Sequence, residues 1–217
     1  MLFRSVNWFF GFFGELKSIY VFHILVLSEL SKKYKRSLKQ FHMPAEEPGF
    51  QALSTKRLIL RKPELNDARE IFNLRSNEQV NQYLDRHPAT DLEDATDFLN
   101  KIIQSIDGGE GSYWAICLKE NPRLVGTICL YDFSPDRQTA EIGYELLPFY
   151  QHKGIMQEAM SVVLHYSFHT LNLETITAFP SADNKSSIKL LQKNEFKLED
   201  DGVQRDGNFV RYVLRMP

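Results

Sequence analysis

The sequence predicts an α+β fold: a mixed, mostly antiparallel sheet with helices on both faces. Three observations carry that expectation. Short runs rich in β-branched and aromatic residues recur at 57–61, 113–118, 124–131, 140–147, 175–179 and 209–215, as strands require. Between them, apolar residues repeat at three- and four-residue steps, the period of a helix that buries one face. The connections differ as well. Turn signals at Glu120-Asn-Pro-Arg123 and Ser134-Pro-Asp-Arg-Gln138 join successive strands directly and favour an antiparallel meander. A strand–helix–strand passage over 140–179 implies a parallel pair instead.

Taken in order, Asn66 or Asp67 can cap a helix whose apolar face is Ala68, Ile71, Phe72 and Leu74. Tyr83 and Leu84 fall in the connection that Pro88 closes. Thr90 or Asp91 can cap a second helix, with Leu92, Ala95, Phe98, Leu99, Ile102 and Ile103 as its buried stripe. Gly108, Gly109 and Gly111 mark the next loop. After three strands, a helix over 155–170 is marked by Ile155, Ala159, Val162, Val163 and Tyr166. Asp183-Asn184 can cap a last helix over 185–193 before the closing strand.

The chain has 217 residues, long enough for one ordinary domain and an appendage. Hydrophobic residues at 43% and charged residues at 25% are typical of a soluble globular protein. A formal net charge of −2 gives no global electrostatic reason to expect nucleic acid. Cys117 and Cys129 lie in apolar runs, as buried free thiols of a cytoplasmic protein do, and no metal-ligand spacing surrounds them. Residues 1–30 are apolar but interrupted by Glu15, Lys17 and His23, so no stretch approaches the roughly 18 apolar residues of a membrane span. Lys32, Lys33, Lys35, Arg36 and Lys39 follow, and this segment has three readings. It could lie on an anionic membrane surface, pack on the domain, or reflect an over-long start, with Met43 opening the true chain. The third is preferred. Residues 44–49 read as a linker, so the expected division is an N-terminal extension and linker at 1–50 and a domain at 51–217.

The chemistry concentrates at 140–159. A strand ends at Pro148, a compact turn reaches Gly154, and a helix begins at Ile155. The first amides of a helix have no intrahelical acceptor and sit at the positive end of its dipole, so such a turn can hold a phosphate or pyrophosphate. His152 and Lys153 could add charge. The bland alternative is an ordinary strand–helix connection.

Gln151-x-x-Gly154-x-Met156 resembles the coenzyme A pyrophosphate loop of the GNAT N-acetyltransferase superfamily, with Met156 where a small residue is usual. Thr55-Lys-Arg-Leu-Ile-Leu-Arg61, Gly126-Thr-Ile-Cys-Leu130, Glu141-Ile-Gly-Tyr144 and Asn184-Lys-Ser-Ser187 extend the likeness to the ribosomal-protein N-terminal acetyltransferase (RimJ/RimL-like) branch, over roughly residues 54–216. The resemblance implies the GNAT fold and acetyl-CoA as acetyl donor, without a metal. It also implies that Glu145, Leu146 and Leu147 meet the pantetheine arm through main-chain groups. Pyrophosphate would face Gln151, His152, Lys153, Gly154, Ile155 and Met156, and Asn184 would hydrogen-bond the pantetheine chain. Glu141 is the implied general base, directly or through water, and Ser187 the implied contact to the leaving sulfur. A tyrosine acid seven residues after Asn184 is excluded, because Leu191 stands there. Glu195 occupies a glycine position that ends the helix in relatives, and Asn194 could take the left-handed geometry instead.

Tyr83, Trp114 and Tyr131 are candidate walls for an acceptor pocket, though each could equally be core. The expected activity is acetyl transfer from acetyl-CoA to a primary amine, foremost a protein or peptide N-terminus. A small-molecule amine (polyamine, amino acid or antibiotic) and a non-catalytic acyl-CoA-binding module are the alternatives.

Overall fold

A computed structural model of the chain describes residues 50–199 and 208–216. The expected extension, its basic cluster, the Met43 start and the 44–49 linker lie outside the described residues, apart from Phe50. The strands are β1 (Leu53–Ser54), β2 (Leu58–Arg61), β3 (Ser112–Leu118), β4 (Asn121–Tyr131), β5 (Thr139–Leu146), β6 (Thr175–Ala178), β7 (Lys197–Leu198) and β8 (Tyr212–Arg215). The helices are α1 (Ala68–Ser76), α2 (Glu78–Asn81), α3 (Leu92–Asp107), α4 (Ile155–His169) and α5 (Lys185–Lys193), with single 3₁₀ turns at Leu65–Asp67 and Pro148–Tyr150.

The strands form one sheet in the order β1-β2-β3-β4-β5-β6-β8-β7. Every neighbouring pair is antiparallel except β5 and β6, which run parallel as the strand–helix–strand passage implies. That parallel ladder is short: Thr139, Ala140 and Glu141 pair with Thr175, Ile176 and Thr177. β6 stops at Ala178 while β5 runs on to Leu146, so the two strands part company beyond Glu141. On its other edge β5 stays paired with β4 up to the Gly126–Leu146 step. Gly126 is required there: a Cβ would sit 2.4 Å from the Glu145 carbonyl oxygen.

Each face of the sheet has its own apolar layer. Trp114, Ile128, Leu130 and Ile142 pack with Met160, Val163 and Tyr166 of α4 and Leu191 of α5. The opposite face sets Ala115, Cys117 and Leu124 against Ile71 of α1 and Ala95 and Leu99 of α3. Strand alternation makes this division, because successive side chains point to opposite faces.

The helix caps sharpen the sequence reading. Asp91 caps α3 through the Asp94 amide at 3.0 Å, while Thr90 donates through both its amide and its hydroxyl to Asp94, each at 2.8 Å. Asp67 precedes α1 but does not cap it. Its buried carboxylate takes a bidentate pair from Arg61, at 2.7 and 2.8 Å, and the Glu64 amide at 2.8 Å.

At the end of α5 the left-handed residue is Glu195, with φ +69°, and not Asn194, which has φ −97°. Phe196 N–H reaches Leu191 O at 3.1 Å and Glu195 N–H reaches Gln192 O at 3.0 Å, the paired bonds of a Schellman end. Buried Leu191 and Phe196 sit at the two positions whose apolar contact accompanies that motif. Asn194 is occupied elsewhere: its carboxamide exchanges hydrogen bonds with Gln157 of α4 at 2.7 and 3.3 Å. The two-residue strands β1 and β7 are too short to show a period and were not expected. The closing strand is shorter than its apolar run, since Phe209 forms only an isolated bridge with Ser181. No helix among the described residues is long and apolar enough to cross a membrane.

Candidate active site

Two features meet at β5. The first is the gap that opens where β5 and β6 diverge. At its far end the turn Pro148–Tyr150 leads to Gln151, whose side-chain amide donates to the Leu146 carbonyl at 2.9 Å. That carbonyl therefore faces away from β4. Leu147 N–H turns the other way, to Val125 O at 3.0 Å. His152 (φ +59°) and Gly154 (φ +71°, ψ 10°) both take left-handed geometry, which a glycine adopts without strain. Gly154 then serves as the N-cap of α4. The first intrahelical bond runs from Glu158 N–H to Gly154 O at 3.1 Å, so the amides of Ile155, Met156 and Gln157 precede it and lie at the positive end of the helix. Such an arrangement accepts an anion through main-chain donors.

The turn is braced from outside. Glu158 accepts the Thr55 hydroxyl at 2.5 Å, the Arg57 amide at 2.9 Å and the Arg57 guanidinium at 2.6 Å. Arg57 also donates to the Lys153 carbonyl at 3.0 Å. Burial pushes the Glu158 carboxyl up, but the bonds from Thr55 and Arg57 outweigh it and hold the group below the usual carboxylate range. Exposed Lys153 places its ammonium 3.8 Å from the centroid of the Phe149 ring. The predicted loop residues Gln151 to Met156 are thus brought together on one turn, and the expected Met156 departure is accommodated by burial of its side chain.

The second feature is a cavity of about 670 Å³ on the β5 face that carries Glu141, Gly143 and Glu145. Tyr113, Thr127, Cys129 and Tyr131 from β3 and β4 share its lining, and Leu84, Asp85 and Arg86 close one side. Glu141 is 4% exposed and accepts a hydrogen bond from the Tyr131 hydroxyl. At the other end of the same strand face, Arg86 donates both terminal nitrogens to Glu145, at 2.5 and 2.8 Å. Burial, reinforced by the charge of Glu145, pushes the Cys129 thiol up to about 12 and the Tyr113 hydroxyl higher still, so both are neutral hydrogen-bonding groups at neutral pH.

Tyr144 and Ser187 link the two features. Their hydroxyls lie 2.7 Å apart, across the gap from β5 to α5. Burial raises the Tyr144 hydroxyl well above its ordinary value, against the opposing bond to Ser187. Asn184 caps α5 through Ser187 N–H at 3.0 Å, which uses its oxygen and leaves the amide NH₂ as a separate donor.

Residues 57–197 match the acetyltransferase (GNAT) domain family. The chain belongs to the GNAT acetyltransferases. Among its relatives, the uncharacterized N-acetyltransferase p20 of Bacillus licheniformis is 34% identical over 156 residues, covering 72% of this chain and 86% of that protein. The same fold occurs in the ribosomal L7/L12 α-N-protein acetyltransferase solved with coenzyme A, at 20% identity and a TM-score of 0.64 over 75% of this chain and 96% of that one. It occurs again in the spermidine N-acetyltransferase of Vibrio cholerae solved with coenzyme A and spermine, at 23% identity and a TM-score of 0.62 over 73% and 95%.

Against this GNAT framework, three sequence expectations change. Trp114 does not line the cavity. It is fully buried on the opposite face, edge-on to Tyr166 at 5.7 Å, with its indole N–H on the Gln51 carbonyl at 2.8 Å. The residue before it, Tyr113, is the one that faces the cavity. Tyr83 is half-buried beside the cavity, whose wall is made by the three residues after it. Tyr131 lines it. Glu145, expected only for its main chain, also contributes a side chain to the cavity. Arg86 and the Tyr144 hydroxyl were missed. Tyr144 stood inside a quoted motif, whereas Arg86 carried no local signal. Among the described residues, no group of three or more His, Cys, Asp or Glu could hold a metal.

Proposed function

We propose that this GNAT enzyme transfers acetyl from acetyl-CoA to a primary amine, foremost the N-terminus of a protein or peptide. One observation carries the reading: the main-chain anion turn and the Glu141 cavity open onto the same strand, β5, from different sides. The chain's groups fit a coenzyme on the gap side. Leu146 O and the amides from residue 152 to 156 offer main-chain partners, and Gly154 allows close approach to the turn. Bound there, the thioester supplies an activated acetyl carbon.

This chain's residues then have distinct tasks. Glu141 takes the proton from the amine as its nitrogen bonds the acetyl carbon and the C–S bond breaks. Tyr131 holds that carboxylate in place through its hydroxyl. Ser187, paired with Tyr144, offers a hydroxyl to the leaving sulfur. Orientation of both reactants along one strand supplies the entropic share of the rate. A protein N-terminus as acceptor is supported by the sequence likeness to the RimJ/RimL-like branch and by the related structure named for α-N-protein acetylation.

The test is steady-state acetylation with acetyl-CoA and a panel of N-terminal peptides, polyamines, amino acids and aminoglycosides. Peptides should give the highest kcat/KM. Preference for a small amine would reassign the acceptor, and tight coenzyme binding without turnover on any amine would make the chain a binding module.

A further inference from the structure

We propose that Arg86 determines acceptor specificity: it is a built-in cation that occupies the Glu145 carboxylate and closes the pocket to amines carrying a second positive charge. The inference rests on reading the Glu141 cavity as the acceptor pocket.

Glu141, Gly143 and Glu145 alternate onto one face of β5, so the two carboxylates look into the same cavity. Their Cα atoms are four strand steps apart, about 13 Å. An extended amine whose reacting nitrogen lies at Glu141 would carry a distal cation towards Glu145. That place is taken. Arg86 grips both Glu145 oxygens in a fork, and the side chains are only 17% and 16% exposed.

The arginine is itself fixed. Its Nε donates to Asn81 Oδ1 at 2.7 Å, and the Asn81 amide is anchored on the Arg75 and Asn77 carbonyls at 2.7 and 2.9 Å. A planar guanidinium held at three nitrogens has no freedom to swing aside for an incoming ammonium. A dication would have to displace Arg86 into a poorly solvated place, whereas an amine with a neutral tail meets a charge already neutralised. Without Arg86, Glu145 would face the pocket with Arg75 as its remaining cationic neighbour, and without Glu145, Arg86 would be left an unpaired cation.

Binding of three matched probes separates these roles without requiring turnover. They are n-octylamine, octamethylenediamine and ω-amino-octanoate, titrated by calorimetry in the presence of coenzyme A. The wild type should prefer the monoamine to the diamine. Arg86→Gln should shift the diamine-to-monoamine affinity ratio by about tenfold or more towards the diamine. Adding Glu145→Gln to that variant should abolish the shift. Glu145→Gln alone should move preference towards the amino-octanoate, by releasing the Arg86 charge into the pocket, and this arm decides the matter if Arg86→Gln does not fold. Amine binding with unchanged ratios in both single variants would overturn the specificity role alone. No amine binding to wild type or variants would overturn the acceptor-pocket reading and the inference with it.

Discussion

The two sides of β5 are built from different parts of the chain. On the gap side most of the proposed coenzyme contacts are main-chain groups, namely Leu146 O, the αL turn at His152 and Gly154, and the first amides of α4, with the Asn184 and Ser187 side chains beside them. On the cavity side the proposed acceptor contacts are side chains, Glu141 held by Tyr131 and Glu145 held by Arg86. A main-chain site depends on backbone geometry and tolerates many side chains, His152 at positive φ among them, provided Gly154 is kept at the helix start. A side-chain site depends on each named residue. Substitutions should therefore separate the two sides cleanly, one changing coenzyme affinity and the other changing turnover.

The largest expected effect is on the cavity side. Glu141→Gln keeps the shape and the hydrogen-bond partner of Tyr131 but removes the basic carboxylate. General-base assistance contributes about 10²–10⁴ in rate, so kcat should fall by at least the lower figure. Coenzyme affinity should hardly move, and higher pH should restore part of the rate, because more of the amine is then already neutral. Steady-state acetylation across a pH series, beside coenzyme titration, checks both halves. Wild-type turnover in this variant would remove Glu141 as the base.

On the gap side, Gly154→Asp places a side chain on a residue with φ +71° and a negative charge beside the proposed phosphates. Coenzyme affinity should drop at least about tenfold, on the order of 1.4 kcal/mol. Undiminished affinity in a folded variant would move the coenzyme elsewhere.

How much of this was legible follows the same division. The geometry of the turn before α4 was readable because every part of it is local: strand, Pro148, Gly154 and the start of α4 lie within a score of residues. The Asn184 cap and the α5 bounds were readable for that reason too. The parallel β5–β6 pair followed from a helix-length crossover. The cavity side was only half legible. Residues 113–117 are all buried, so their run gives no alternation to say which side chains face the cavity. Trp114, expected as a candidate wall, consequently packs on the opposite face, and its neighbour Tyr113 faces the cavity. Arg86 and Glu145 are 59 residues apart, and no local pattern in the sequence announces such a pairing. At the end of α5, the expectation that Asn194 would take the left-handed position missed its competing bond with Gln157. That long-range contact leaves the strained angle to Glu195.

That last point gives the smallest predicted effect, outside both sites. Left-handed geometry costs a non-glycine residue about 1–2 kcal/mol, part of which glycine returns through its more flexible unfolded state. Glu195→Gly should raise stability by roughly 0.5–1 kcal/mol, a rise of a few degrees in Tm. Coenzyme affinity and turnover should stay at wild-type values. A lower melting temperature in calorimetry would show that the Glu195 side chain holds the helix end by contacts that outweigh its strain.

The division of β5 into a main-chain side and a side-chain side is tested most directly by backbone amide NMR during titration with coenzyme A. The largest shift changes should fall on the amides from residue 152 to 156 and on Leu146 and Leu147, with the amides of Tyr113, Thr127 and Tyr131 changing least. A second cavity, lined by Asn73, Asn77, Glu78 and Phe149, abuts the strand end and provides the contrasting outcome. Changes centred on that cleft, or on the Glu141 face with the Gly154 turn unmoved, would contradict the account.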